Sequence, residues 1–291
     1  RLAADVAVGL ARGLRPGEPE RAATPHTFFN VHSASKPLLA LAVAALGEDG
    51  RLAVELPVAR YLPEFAGRGR DQITVLDVLT HRAGVPMPEL ISHPERWGDP
   101  AAVRAALAAA TPRYPRGTLA YLPVEFGWIL AEIVHRITGQ RFDDFLRQRL
   151  LLPAGLRGLA FTATAEELAA AARCYWVGSK TALLHGVDLR EQFEKTWNDP
   201  ATLAAPAPGA SLLTDAAHLA ALYELLLRGG VTTDGQRLLR EETVAAYTSR
   251  AAFGFDRANR VPLAVARRAR LSGGRRSCQR PCSNRKWVSR L

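Results

Sequence analysis

The chain has 291 residues, 48% of them hydrophobic and 23% charged, enough for one large domain or two packed ones and too apolar for a wholly disordered chain or a fibre. Its longest uncharged apolar run, Pro37 to Gly47, falls far short of the roughly 20 residues a bilayer-spanning helix needs. The net charge of +10 suggests a nucleic-acid footprint until it is divided: eleven basic and no acidic residues lie between Arg257 and Leu291, leaving 27 basic groups against 28 acidic ones in the first 256 residues.

In chain order, residues 1–32 read as a hairpin, with an apolar stretch at Asp5 to Leu14, a turn at Arg15 to Pro19 and an extended piece at Thr27 to Val31. Pro37 to Asp49 reads as a buried helix, with proline in its first turn, leucines nearly all round and Gly50 to stop it. Further helices are expected at Val75 to His81, Pro100 to Ala110, Val124 to Thr138, Phe142 to Leu152, Ala165 to Cys174, Asp215 to Arg228 and Arg240 to Ser249. Thr164 with Glu167 makes a capping box, and Gly139 and Gly229 end two of the helices. The stretches Leu56 to Pro63 and Asp199 to Pro208 read as irregular loops. Beyond Phe255 the periodicity fades into an arginine-rich stretch. The expected organisation is one domain over 1–255, made of the hairpin 1–32 and a helical region 33–255, followed by a basic, aberrant or disordered tail over 256–291.

Ser33 and Lys36 stand three apart where the hairpin gives way to the buried helix. Positions i and i+3 share a helix face, so a serine hydroxyl can meet a lysine amine there. Burial and the positive end of the helix lower the amine's pKa, which lets it act as the base a serine nucleophile needs. The helix start also offers the Ser33 amide as an oxyanion donor. From spacing and context alone, an ordinary helix cap is an equal reading of Ser33. A second Ser-x-x-Lys, Ser283 to Lys286, lies in the tail with no apolar helix behind it, and is read as chance.

The stretch Asn30-Val31-His32-Ser33-Ala34-Ser35-Lys36-Pro37 resembles the nucleophile motif of the serine β-lactamase and penicillin-binding-protein superfamily, in particular class C β-lactamase-related hydrolases and family VIII-type carboxylesterases. Val78-Leu79-Thr80-His81-Arg82-Ala83-Gly84, Tyr121-Leu122-Pro123 with Gly127-Trp128, and Pro208-Gly209-Ala210-Ser211 follow in the order of that family's later landmarks. The resemblance implies an α+β fold, an antiparallel sheet with flanking helices and an inserted helical region. It makes Ser33 the acylated nucleophile, Lys36 its base and Tyr121 the proton shuttle. It implies a small-molecule ester or amide substrate with no cofactor and no metal. β-Lactamase or D-Ala-D-Ala carboxypeptidase-like activity, or a catalytically silent binding protein of the same fold, are the alternatives.

Two departures matter. Family members often carry asparagine two residues after the tyrosine; here the place is Pro123, which argues for esters over β-lactams or peptides. The third motif, Lys-Thr-Gly or His/Trp-x-Gly on a strand near the C-terminus, has no counterpart beyond the weak candidate Ser272-Gly273-Gly274. Frameshift, truncation or a fused foreign tail would each account for that, and each predicts an impaired hydrolase.

His81 reads as a structural or capping residue, and Glu125 and Glu132 as helix surface. Cys174, Cys278 and Cys282 form neither a zinc set nor a disulfide framework. Tail arginines with Trp287 as their one aromatic ring make nucleic-acid binding a weak rival. Thirty-four arginines against four lysines hint at a GC-rich bacterial genome. The chain opens at Arg1 without a leader pattern, which favours a cytoplasmic location unless the start is incomplete. Oligomeric state is not legible.

Overall fold

The computed structural model describes residues 24, 26–175, 183–184, 187–188, 190–205 and 207–267. Strand β1 (Phe29–Asn30) ends where Asn30 Oδ1 accepts the His32 N–H at 2.9 Å, and the chain bends into one 3-10 turn, His32–Ser35. That turn runs directly into α1 (Lys36–Glu48), whose second residue, Pro37, loses no helical hydrogen bond at that position. Leu38, Leu39, Ala42, Val43 and Leu46 are at most 1% exposed, so α1 is walled in on every side, and truncating one of its leucines to alanine costs about 2–5 kcal/mol.

The helical region follows. Helix α2 (Val75–Leu79) opens on a Thr74–Asp77 capping box, and after α3 (Pro88–Ile91) and α4 (Pro100–Ala109) comes the long α5 (Glu125–Thr138). Helix α5 packs on α1 and α2 and ends at Gly139, whose left-handed φ of 74° suits glycine. Helix α6 (Phe142–Leu146) continues through a π turn to Leu151.

Beyond it lie β2 (Leu159–Ala160), α7 (Ala165–Ala170), the short pair β3 (Leu183–Leu184) and β4 (Val187–Asp188), α8 (Arg190–Asn198), α9 (Pro200–Ala204) and β5 (Leu213–Thr214). Helices α10 (Ala216–Leu227) and α11 (Glu241–Thr248) then lead into β6 (Ser249–Asp256) and β7 (Val261–Arg267). Strand β5 is the middle of a three-stranded antiparallel sheet, with Thr214 opposite both Phe29 of β1 and Leu159 of β2. Strands β6 and β7 form a separate hairpin. The fold is α+β and β-lactamase-like, as expected. None of the described helices is long and apolar enough to cross a membrane.

Several expectations need correction. Helix α7 ends at Ala170 rather than Cys174, and the loop expected from Asp199 holds α9, because Asp199 accepts the Thr202 N–H at 3.0 Å and caps it. The described partner of Phe29–Asn30 is β5; the first arm of the expected hairpin lies outside the described residues. The stretch past Phe255 is ordered into β7 as far as Arg267, because Val261, Leu263 and Val265 alternate at the strand period and pair with β6. Residues 268–291, with Ser272 to Gly274, Cys278, Cys282, Ser283 to Lys286 and Trp287, lie outside the described residues.

Candidate active site

The 3-10 turn leaves Ser33 exposed and Lys36 buried at the head of α1. Lys36 Nζ lies 3.1 Å from Ser33 Oγ, 2.5 Å from the Pro123 carbonyl and 2.8 Å from the Gly209 carbonyl. Burial drives its pKa down to about 7, against the pull of the nearby Glu125 carboxylate in the other direction. A neutral Lys36 keeps two N–H groups, one for each carbonyl, and turns its lone pair toward the Ser33 hydroxyl. Tyr121 donates its hydroxyl to Ser33 Oγ at 2.6 Å, and burial raises its pKa, so the phenol is protonated at neutral pH. The structure thus brings Ser33, Lys36 and Tyr121 together. Ser35 is fully buried and offers no competing nucleophile.

The Gly209 carbonyl reaches Lys36 because α5 and the 208–210 turn touch backbone to backbone. A Cβ on Gly127 would stand 2.3 Å from Gly209 N, a separation no side chain fits. His81 takes the structural part expected of it: its Nδ1 accepts the Leu122 N–H at 3.1 Å, and burial, with Lys36 nearby, lowers its pKa to about 3. Glu132 pairs with Arg136 at 3.7 Å on the half-buried outer side of α5.

Glu125 is not on the helix surface. It is 0% exposed, and its two oxygens accept the Met87 N–H at 3.0 Å and the Val124 N–H at 3.2 Å. Its place in the first helical turn, where backbone N–H groups lack partners, was the available signal. Asp256 is also 0% exposed; Oδ1 accepts the N–H groups of Tyr121 at 2.9 Å and Ala258 at 3.0 Å. The bond to a backbone N–H two residues on is an Asx turn, a signal hidden by the arginines around it.

A cavity of about 200 Å³ opens beside Ser33, bounded by His32, Ile91, Trp97, Val124, Phe193 and Trp197, and none of the described residues lining it is charged. Burial lowers the His32 pKa and keeps that imidazole neutral near pH 7. A larger cavity of about 530 Å³ around Arg141, Asp143 and Glu167 is lined by none of the three converging residues, whereas Ser33 lines the smaller one. Among the described residues no group of three His, Cys, Asp or Glu side chains could hold a metal.

A buried lysine and a tyrosine converging on a serine at the head of a core helix define the serine-hydrolase scaffold shared by esterases, β-lactamases and penicillin-binding proteins. The chain belongs to the beta-lactamase family, whose model, described as Beta-lactamase, matches residues 4–273. It is 29% identical over 242 residues to Esterase/beta-lactamase LipL of Mycobacterium tuberculosis, across 75% of this chain and 54% of that protein. It is 30% identical over 174 residues to Esterase EstB of Burkholderia gladioli, across 54% of this chain and 44% of that protein. A penicillin-binding protein homolog from Caulobacter crescentus superposes with a TM-score of 0.70 at 29% identity, covering 84% of this chain and 67% of that one. A family VIII carboxylesterase gives 0.69 at 26%, covering 82% and 66%. The chain spans about half the length of these two curated relatives.

Proposed function

We propose that the chain hydrolyses carboxylic esters of small, uncharged acids through an acyl-Ser33 intermediate. The observation that carries this reading is the double contact at Ser33 Oγ, 2.6 Å from a protonated phenol and 3.1 Å from an amine whose pKa sits near 7. The Ser33 proton passes to Lys36 as Oγ attacks the ester carbonyl. The bond to the alcohol then breaks, and Tyr121 protonates the departing alkoxide and regains its proton from the Lys36 ammonium. Water attacks the acyl-serine with the same groups in reversed roles, releasing the acid and restoring the serine.

The Ser33 amide serves as one oxyanion donor. A second would come from the third motif, for which the sequence near the C-terminus offers no clear counterpart. Where such a donor is absent, the loss costs about 10² to 10³ in rate. The uncharged cavity and the absence of a side-chain amide at Pro123 favour an ester over a β-lactam or a D-alanyl peptide.

Labelling with a fluorophosphonate, followed by peptide mapping, should place the adduct on Ser33. p-Nitrophenyl acetate should be hydrolysed faster than a chromogenic cephalosporin. An adduct elsewhere refutes the nucleophile; none at all favours the silent binding protein of the same fold.

A further inference from the structure

The segment that carries Tyr121 and Pro123 belongs to no helix or strand. Its hydroxyl and its carbonyl are nevertheless the groups that meet Ser33 and Lys36, at 2.6 and 2.5 Å. Without a ladder, something else must hold its backbone. Each of its three N–H groups ends on a buried side chain. Tyr121 donates to Asp256 Oδ1 at 2.9 Å, Leu122 to His81 Nδ1 at 3.1 Å and Val124 to Glu125 Oε2 at 3.2 Å, while Pro123 has no N–H to place. Asp256 and Glu125 are both 0% exposed, and burying a carboxylate is unfavourable unless its oxygens are hydrogen-bonded. Here they are. Asp256 Oδ1 also takes the Ala258 N–H, and its Oδ2 takes Asn259 Nδ2 at 2.7 Å; Glu125 Oε1 takes the Met87 N–H at 3.0 Å. Each carboxylate therefore ties the segment to another part of the chain. Asp256 ties it to the β6–β7 turn, a link reinforced by Arg257 N–H donating to Leu119 O at 2.9 Å, and Glu125 ties it to the loop before α3.

We propose that Asp256 and Glu125 are positioning residues, two buried carboxylates that, with His81 between them, hold the backbone of residues 121–124 so that the Tyr121 hydroxyl and the Pro123 carbonyl stay on Ser33 and Lys36. Neither touches the reacting atoms. The inference rests on the acyl-Ser33 reading for its kinetic consequence and on the hydrogen bonds alone for its structural one.

The test uses the full chain. In Asp256→Ala and Glu125→Gln, kcat for p-nitrophenyl acetate should fall about 10- to 100-fold with KM changed less than about threefold, because displacement of a reacting group by about 1 Å has that effect on the chemical step. Asp256→Asn keeps an acceptor for the Tyr121 and Ala258 N–H groups and should recover most of the rate. The double variant should be little worse than the poorer single one, since both act on one segment. Hydrogen exchange of the peptide spanning 119–126 should quicken in Asp256→Ala and Glu125→Gln whether or not the chain is active. If Asp256→Ala does not fold, Glu125→Gln carries the same two measurements. Folded variants of Asp256→Ala or Glu125→Gln with wild-type kcat, or with unchanged exchange over 119–126, overturn the proposal. A wild-type chain that hydrolyses no ester overturns the functional reading instead, and the exchange measurement alone then decides this one.

Discussion

The tightest backbone approach in the site gives the sharpest prediction. Gly127→Ala puts a Cβ 2.3 Å from Gly209 N and 2.9 Å from both Gly209 Cα and Pro208 C. None of these is a flexible side chain, so helix and turn must part by roughly 1 Å to reach ordinary van der Waals contact. The Gly209 carbonyl, 2.8 Å from Lys36 Nζ, moves beyond hydrogen-bonding distance. Lys36 becomes an ammonium as Ser33 attacks, and a hydrogen bond to a charged group contributes about 1.5–3 kcal/mol, so its loss slows acylation roughly 10- to 100-fold. Overpacking costs about 1–3 kcal/mol of stability as well, a fall of several degrees in Tm. Hydrolysis of p-nitrophenyl acetate, with thermal melting followed by circular dichroism, measures both. A folded Gly127→Ala protein with kcat within about threefold of wild type would show that the Gly209 carbonyl plays no part in setting the base.

Lys36→Arg should abolish labelling of Ser33, because arginine stays protonated. In the unaltered chain the free amine predominates above its pKa, so kcat/KM should rise with pH through about 7; a flat profile from pH 6 to 9 contradicts Lys36 as base. The same depressed pKa leaves the unfolded chain holding a proton that the native one lacks between about pH 7 and 10.5, so Lys36 makes stability rise with pH there. His81, neutral in the fold down to about pH 3 against 6.5 when unfolded, should cost about 1.4 kcal/mol of stability per pH unit as pH falls from 6.5; His81→Asn melts that keep the full acid sensitivity would refute this. Trp197→Ala enlarges the cavity beside Ser33 and should raise the kcat/KM ratio of p-nitrophenyl octanoate over acetate about tenfold, read from paired initial rates; an unchanged ratio means the acyl group lies elsewhere.

The nearness of Ser33 to Lys36 was legible from a local record, their helical spacing ahead of an apolar run, whereas Tyr121 was legible only from its place in the resembling family's order of landmarks. The Thr164–Glu167 capping box and the glycine stop at Gly139 were legible for the same local reason. What escaped depends on chain pieces far apart. Glu125 carries a charge on a helix, which usually marks solvent, and only the Met87 and Val124 N–H groups converging on it explain its burial. Strand β7 did show its period-two signal in Val261, Leu263 and Val265, but the arginine density around it dominated the charge argument. Helix α8 is mostly polar, and α9 is short and bounded by prolines, so neither showed an apolar stripe.

The bonds that complete the site join residues separated by 88, 87, 173 and 135 positions in the chain: Tyr121 with Ser33, Lys36 with Pro123, Lys36 with Gly209, and Tyr121 with Asp256. Closing such long loops adds little to the equilibrium cost, which grows only with the logarithm of length, but it slows folding. During synthesis Ser33 and Lys36 emerge well before their surroundings are complete, since the carbonyl from residue 209 and the carboxylate from residue 256 do not yet exist. The geometry around Ser33 is therefore complete only once residue 256 has been made, and on the acyl-Ser33 reading a cut between α11 and the β6–β7 turn should abolish activity without touching Ser33, Lys36 or Tyr121.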